Sequence, residues 1–124
     1  MGKKHILYTC KRIVSEDNEY GYTSATYEKP ILHNFLYMPA SSSLDIQKYG
    51  EKINRIYTSY VPYKKYRGQF NVGDLAYLLD SEMQDISIAL KDTNCENANY
   101  RIIGVDEQNL FIKITFEKIK QHIE

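Results

Sequence analysis

The sequence predicts a mostly β fold, a small single-domain β-barrel or sandwich with one or two short helices. The chain has 124 residues, which is the length of one domain. Six or seven short runs rich in β-branched and aromatic residues are separated by turn signals, the pattern of a barrel or sandwich. There are 12 tyrosines, 4 phenylalanines and no tryptophan, and tyrosine favours strands and half-buried surfaces. We therefore expect residues 1–124 to form one β-barrel-like domain.

The strand pattern is clearest near the C-terminal end. Apolar and more polar residues alternate from Leu110 to Phe116, which indicates a strand with one buried face. Another β-rich run covers residues 100–105, and the polar residues 106–109 between the two runs predict a hairpin. Residues 71–74 are typical of a tight turn. Five further strands are predicted, over residues 5–13, 22–27, 31–38, 53–61 and 74–80.

Two short helices are also predicted. Ser42 can cap the first, with Ile46 and Tyr49 facing inward and Gly50 as a left-handed stop. Ser81 and Gln84 form a capping-box pattern ahead of the second. Residues 86–90 also alternate as a strand would, so both alternatives stay open there. Residues 91–99 are polar and are expected to form an exposed loop.

Charge and cysteine content exclude several classes of protein. Lys plus Arg and Asp plus Glu each number 16, so the chain lacks the basic excess that drives non-specific binding to DNA or anionic membranes. Cys10 and Cys95 lie far apart without Cys or His neighbours. A disulfide between them stays open, but this pattern favours two reduced thiols in a cytosolic protein. No signal-peptide pattern and no membrane-spanning run is apparent, so we expect a soluble protein made inside a cell.

Catalytic and metal-binding patterns are not apparent either. The three histidines, His5, His33 and His122, fall in three separate segments without metal-ligand spacing. The glycines Gly68 and Gly73 are isolated, so no phosphate-binding loop is predicted. We expect no metal, no cofactor and no enzymatic activity.

One segment interleaves aromatic and cationic residues. Three interpretations fit it: a groove for single-stranded nucleic acid, a strand that runs into a solvated turn, or a protein–protein surface. The first would make the protein a small single-stranded nucleic-acid-binding barrel. Tyr57 begins the segment, and the residues that we name the basic-aromatic cluster follow: Tyr60, Tyr63, Lys64, Lys65, Tyr66 and Arg67.

Two strings resemble the head-closure, or stopper, family of tailed-phage head–tail connector proteins. Residues 37–50, Tyr-Met-Pro-Ala-Ser-Ser-Ser-Leu-Asp-Ile-Gln-Lys-Tyr-Gly, are similar to that family's strand, serine-rich loop and Tyr-Gly turn. Residues 99–110 and 116–118 are similar to the closing hairpin of small phage neck proteins, and residues 70–74 fit a turn and strand found there. Residues 81–97 are longer and more helix-like than the family's. The stopper itself, an adaptor and a tail-completion protein therefore all remain open, in an infectious phage or a phage-tail-like particle.

The resemblance implies a subunit that joins a homo-oligomeric ring below the portal and adaptor proteins of a filled capsid. Such a ring retains the packaged DNA and presents a surface to the tail-completion or terminator protein. The implied location is the virion neck, after assembly in the cytoplasm of the bacterial host, with no membrane contact. In the family, a loop after an early strand projects toward the DNA channel. The matching residues, which we name the assembly segment, are Ser41, Ser42, Ser43, Leu44, Asp45, Ile46, Gln47, Lys48, Tyr49, Gly50 and Glu51.

Overall fold

The computed structural model describes residues 6–14, 25–80 and 83–119 of the chain. The strands within these ranges are β1 (Ile6–Cys10), β2 (Arg12–Val14), β3 (Ala25–Tyr27), β4 (Ile31–Asn34), β5 (Met38–Pro39), β6 (Ile56–Pro62), β7 (Leu75–Leu78), β8 (Tyr100–Glu107) and β9 (Phe111–Lys118). The helices are α1 (Ser43–Tyr49), α2 (Tyr63–Tyr66) and two 3₁₀ helices, Gly50–Arg55 and Ile86–Leu90.

Seven of the strands form one curled antiparallel sheet, a half-barrel, in the order β4-β1-β7-β8-β9-β6-β5. The remaining two, β2 and β3, pair with each other in a separate ribbon. This arrangement confirms the mostly β, single-domain fold that the sequence predicts. The two edges of the seven-stranded sheet, β4 and β5, are consecutive in the chain, so residues 35–37 cross from one edge of the sheet to the other.

The inner face of the sheet holds the main core. On β9 the residues Ile112, Ile114 and Phe116 are each no more than 1% exposed. They lie opposite Val61, Ser59 and Tyr57 of β6, because a period of two sends alternate side chains to one face. The predicted alternation is confirmed with two exceptions: Leu110 lies in the turn and is 72% exposed, and Thr115 on the opposite face is only 6% exposed.

The predicted hairpin and tight turn are both present. Strands β8 and β9 pair from Tyr100 opposite Lys118 to Glu107 opposite Ile112, and the Gln108 amide donates to the Phe111 carbonyl to close the turn. At residues 71–74, the Asp74 amide donates to the Asn71 carbonyl at 3.1 Å. Gly73 has a φ of 102°, which residues with a Cβ rarely adopt, so glycine suits this turn.

Several predicted strands are shorter than expected. The strand expected over 31–38 is wrong as one element, because β4 ends at Asn34 and the chain then leaves that edge for the other. The strand expected over 53–61 begins only at Ile56, after the 3₁₀ helix. Residues 5–13 divide into β1 and β2 at Lys11, and β3 covers only the last three residues of 22–27. His5 and residues 22–24 lie outside the described residues.

The connection between β7 and β8 covers the outer face of the sheet. The 3₁₀ helix Ile86–Leu90 is capped by the Asp85 side chain, which accepts a hydrogen bond from the Ser87 amide. The capping box proposed for Ser81 lies partly outside the described residues, and the strand alternative for 86–90 is wrong. The exposed loop expected over 91–99 is also wrong in part, because Cys95, Ala98 and Asn99 are buried. These residues belong to a second apolar cluster that also contains Tyr77 and Ile86, apart from the polar Asn99.

The two cysteines are joined as a disulfide between Cys10 on β1 and Cys95, which corrects the expectation of two reduced thiols. Both are buried in the second apolar cluster. Their separation of 85 residues in sequence was the reason to regard them as independent. The return of the chain across the outer face brings Cys95 to β1, and a sequence pattern does not show this.

We predict that reduction of the disulfide costs about 4 kcal/mol of unfolding free energy, because cross-linking a loop this long restricts the unfolded chain. The measurement is urea unfolding with and without dithiothreitol. The matched control is the Cys10→Ala/Cys95→Ala variant, which should be about as unstable as the reduced protein and insensitive to dithiothreitol. An unfolding midpoint that does not respond to reductant in the wild-type protein would contradict the prediction.

Candidate assembly surface

Helix α1 supplies most of the assembly segment. The Ser42 hydroxyl accepts a hydrogen bond from the Asp45 amide at 3.1 Å, which is the predicted N-cap. Gly50 ends the helix with a φ of 54°, and its amide donates to the Ile46 carbonyl. Both predicted helix boundaries are thus confirmed. The segment is consequently a capped helix that runs into a 3₁₀ helix, and the serine-rich loop reduces to the residues before Ser43.

The helix faces the sheet through a carboxylate instead of an apolar residue. Asp45 is 6% exposed, and its Oδ1 lies 2.9 Å from the Lys113 Nζ on β9. Ile46 was expected to face inward, but it is 50% exposed, and Tyr49 is half-buried. The prediction that Ile46 faces inward is wrong, because the ion pair with Lys113 turns the Asp45 face of the helix toward the sheet. Lys113 points to the outer face of β9 between the inward-facing Ile112 and Ile114.

The environment of Lys113 keeps its ammonium group charged. Partial burial by itself would lower the pKa of Lys113, because a charge loses hydration there. The hydrogen bond to Asp45, with the negative charge of Asp45 and the nearby Tyr60 and Tyr49, outweighs that effect and raises the pKa above its usual value. The Lys113 ammonium group therefore stays charged to a higher pH than that of an ordinary lysine.

Apolar side chains surround this ion pair on the outer surface. Leu44 is 76% exposed and Ile46 is 50% exposed, on opposite sides of Asp45 along the helix. Tyr60 of β6, directly opposite Lys113 in the sheet, is 50% exposed. A shallow cleft of about 450 Å³ lies between the helix and β9, lined by Leu44, Asp45, Gln47, Lys48 and Lys113. The anchored helix thus presents its largest apolar side chains to solvent.

The structure divides the basic-aromatic cluster into three environments. Tyr60 lies on the outer face, whereas Tyr63 is half-buried and Tyr66 is only 8% exposed. The Tyr66 ring packs against His33, Phe35 and Phe70, a group that we name the aromatic plug. The three cations Lys64, Lys65 and Arg67 are exposed. Stacking of nucleobases on Tyr66 would require the plug to open, which disfavours the nucleic-acid interpretation of this ring.

A polar cluster lies at the other side of the core. The Asp80 Oδ2 accepts from the Tyr100 hydroxyl at 3.0 Å and lies 3.2 Å from the Lys118 Nζ. Burial, followed by the negative charge of Asp80, raises the pKa of Tyr100, so its hydroxyl remains a proton donor. The Tyr37 hydroxyl accepts from the Leu79 amide at 3.1 Å, and burial raises the pKa of Tyr37 as well. These contacts join β7, β8 and β9 to residues 35–37, which cross between the two edges of the sheet.

One hydroxyl–imidazole pair occurs in the plug. The Thr9 Oγ1 and His33 Nε2 atoms are 2.9 Å apart, but Thr9 is 3% exposed and His33 is 8% exposed. A substrate would have to displace the aromatic plug to reach either group, so the pair serves packing in this arrangement. A catalytic dyad of Cys10 and His33 is excluded, because the Cys10 sulfur is in the disulfide. Within 6–14, 25–80 and 83–119, no group of three or more His, Cys, Asp or Glu residues could hold a metal ion.

Lys113 is the residue of this surface that the sequence interpretation missed. The alternation in β9 placed Lys113 on the polar face, and the N-cap at Ser42 placed Asp45 in the first turn of α1. Each pattern was visible on its own. Their pairing was not, because it joins residues 68 positions apart.

Comparison of the chain with protein-family models, curated proteins and solved structures gives no match. Across the described ranges, no helix has the length and apolar content to cross a membrane.

We predict that Lys113→Ala lowers the free energy of unfolding by about 3 kcal/mol, because the Asp45 carboxylate then stays buried without its cation. The Asp45→Leu/Lys113→Leu double variant should lose less than about 1 kcal/mol, since neither charge remains. Urea unfolding measures both. Lys52→Ala, at an exposed position in the following 3₁₀ helix, is the control and should change stability by less than about 0.5 kcal/mol. Equal losses for Lys113→Ala and the double variant would contradict the prediction.

We predict that acidification weakens the fold through His33. Burial lowers the pKa of folded His33 below its usual value of 6.5. As the pH falls, His33 therefore takes up a proton in the unfolded chain at a higher pH than in the folded protein. The part of the unfolding free energy that depends on neutral His33 is complete above pH 6.5, and it is lost as the pH falls toward the lower pKa of the folded state. Thermal unfolding at pH 7.5 and pH 5 should show a smaller difference for His33→Gln than for the wild type. Both proteins keep His5 and His122, so an unchanged difference would exclude His33 as the cause.

Proposed function

We propose that this protein is a structural head–tail connector of a tailed phage or phage-tail-like particle, acting as a head-completion, or stopper, protein. In this proposal its action is mechanical and involves no catalytic step or cofactor. Subunits associate into a ring in the virion neck, after assembly in the cytoplasm of the bacterial host. The ring joins the portal or adaptor proteins to the tail-completion or terminator protein and closes the channel that holds the packaged DNA.

The observation that carries the proposal is the exposure of apolar residues on α1. The family resemblance assigns residues 41–51 to assembly, and within them Leu44 is 76% exposed and Ile46 is 50% exposed. The helix is not loosely attached, because the Asp45–Lys113 ion pair holds it on β9. A fixed element with outward apolar side chains is typical of a surface that becomes buried against another subunit.

Two further features support an assembly protein. The formal net charge is zero, which removes the long-range repulsion between identical subunits. Tyr60 lies half-exposed beside the ion pair, and tyrosine is among the residue types enriched in interface hot spots. A neighbouring neck protein, such as an adaptor or a tail-completion protein, would use the same features.

The first experiment is to examine the coding neighbourhood and to reconstitute the neck. Genes for portal, capsid and tail proteins beside this gene would support the proposal, and their order would rank stopper against adaptor. The purified protein, mixed with those neighbouring neck proteins, should form rings visible by negative-stain electron microscopy. Metabolic or nucleic-acid-processing neighbours, together with salt-sensitive binding to a single-stranded oligonucleotide, would overturn the proposal in favour of a nucleic-acid-binding barrel.

We predict that Leu44→Asp/Ile46→Asp weakens ring assembly at least tenfold, equivalent to about 1.4 kcal/mol, because both charges would have to be buried in the contact. Sedimentation of the protein with its neck partners measures the loss. Both positions are exposed, so the melting temperature should stay close to that of the wild type. Val72→Asp is the matched control, since Val72 is 64% exposed but lies in the turn before β7. If the double variant still forms rings as the wild type does, α1 does not take part in the contact between subunits.

A further inference from the structure

Strand β4 leaves one edge of the sheet open. Within the described part of the chain, β4 pairs with β1 alone. Leu32 on this strand is 56% exposed and Ile31 is 43% exposed, and Leu36 just beyond it is 50% exposed. An edge strand presents backbone N–H and C=O groups that another extended chain can pair with. The surface is therefore both apolar and able to form backbone hydrogen bonds.

The other edge of the sheet, strand β5, is protected against pairing with a further strand, whereas β4 is not. Strand β5 has two residues, and one of them is Pro39, which has no N–H to donate. Strand β4 has four residues, Ile31 to Asn34, and contains neither proline nor a charged side chain. Natural sheets usually protect their edges with short strands, proline or lysine. The unprotected edge is thus confined to one side of the half-barrel.

Helix α2 places positive charge next to this edge. Its Tyr66 ring lies 6.1 Å from the His33 ring of β4 and 5.6 Å from the Phe35 ring, between centroids. The Lys65 Nζ lies 5.4 Å from the centre of the same Tyr66 ring. Lys64, Lys65 and Arg67 are all exposed, and neither ion pair found among the described residues includes them. A chain that is laid along β4 would pass these cations near the C-terminal end of the strand.

We propose that the β4 edge and the α2 cations form a docking site for an extended acidic segment of another protein, bound by strand addition. Backbone hydrogen bonds to β4 would supply affinity, while apolar side chains against Leu32 and acidic ones near α2 would supply specificity. All strand pairs in the sheet are antiparallel. An added antiparallel strand would begin at the α2 end, so its acidic residues precede its apolar ones.

A second copy of this chain fits the site less well. Pairing of β4 with β4 in antiparallel fashion would bring Glu28 and Lys29 of the second copy toward the α2 end. These neighbouring residues carry opposite charges, so they would add no net negative charge beside Lys64, Lys65 and Arg67. An acidic segment neutralises those cations, and charge complementarity therefore favours a different protein. The inference does not depend on the proposed connector function.

The test uses a fluorescent synthetic peptide with three aspartates followed by alternating valine and threonine residues, and fluorescence anisotropy as the readout. The full chain should bind this peptide at least tenfold more tightly than a peptide with three lysines in place of the aspartates. Leu32→Lys and Lys64→Glu/Lys65→Glu should each weaken binding at least tenfold. Val72→Lys, a change at a similarly exposed apolar residue away from the edge, should bind as the wild type does.

Four results would overturn the proposal. The first is equal binding of the acidic and basic peptides, which would remove the role of α2. The second is unchanged binding by Leu32→Lys with an unchanged melting temperature, which would remove the role of the edge. The third is a peptide-free wild-type dimer that Leu32→Lys converts to a monomer, which would show that a second copy occupies the site. The fourth is displacement of the peptide by a single-stranded oligonucleotide, with full binding by Leu32→Lys, which would assign the cations to nucleic acid instead.

Discussion

The short crossing between β4 and β5 is the constraint on which the sheet depends. Six spacings separate these two strands, which would place them about 29 Å apart in a flat sheet. The chain from Asn34 to Met38 can span at most about 14 Å. The sheet therefore has to curl until its edges approach, and the half-barrel follows from chain length as much as from strand twist. Each crossing residue is held by a different element: Phe35 packs on Tyr66, the Leu36 carbonyl accepts from Ser59, and the Tyr37 hydroxyl accepts from the Leu79 amide.

Curling also separates the roles of the two faces. The inner face is filled by core residues, among them those of β6, β8 and β9. Part of the outer face is covered by the 83–99 connection, and the part over β6 and β9 is left to α1. The Asp45–Lys113 ion pair holds the helix on β9, while Leu44 and Ile46 stay exposed and available for contacts with another molecule.

Local patterns predicted the elements that depend on neighbouring residues. The alternation in β9, the turn at 71–74, the Ser42 cap and the Gly50 stop each follow from residues within one or two turns of chain. The sequence did not show features that join distant segments. The ion pair with Lys113 orients α1 so that Ile46, which was expected to face inward, faces solvent. The fold also brings Cys95 beside Cys10. In the basic-aromatic cluster the three cations are exposed, and the burial of Tyr66 depends on the aromatic plug, whose residues come from separate segments.

The bond between Cys10 and Cys95 has a consequence for the integrity of the molecule. It encloses α1, the β4 edge and α2 in one covalent ring of the backbone. A protease that cuts one peptide bond anywhere in that ring leaves two pieces still tied through sulfur, and the remaining sheet contacts can hold them in place. Such a nicked molecule would migrate as an intact chain on a non-reducing gel and as two fragments after reduction. The exposed surfaces between Cys10 and Cys95 can therefore tolerate a single cut without loss of any part of the chain.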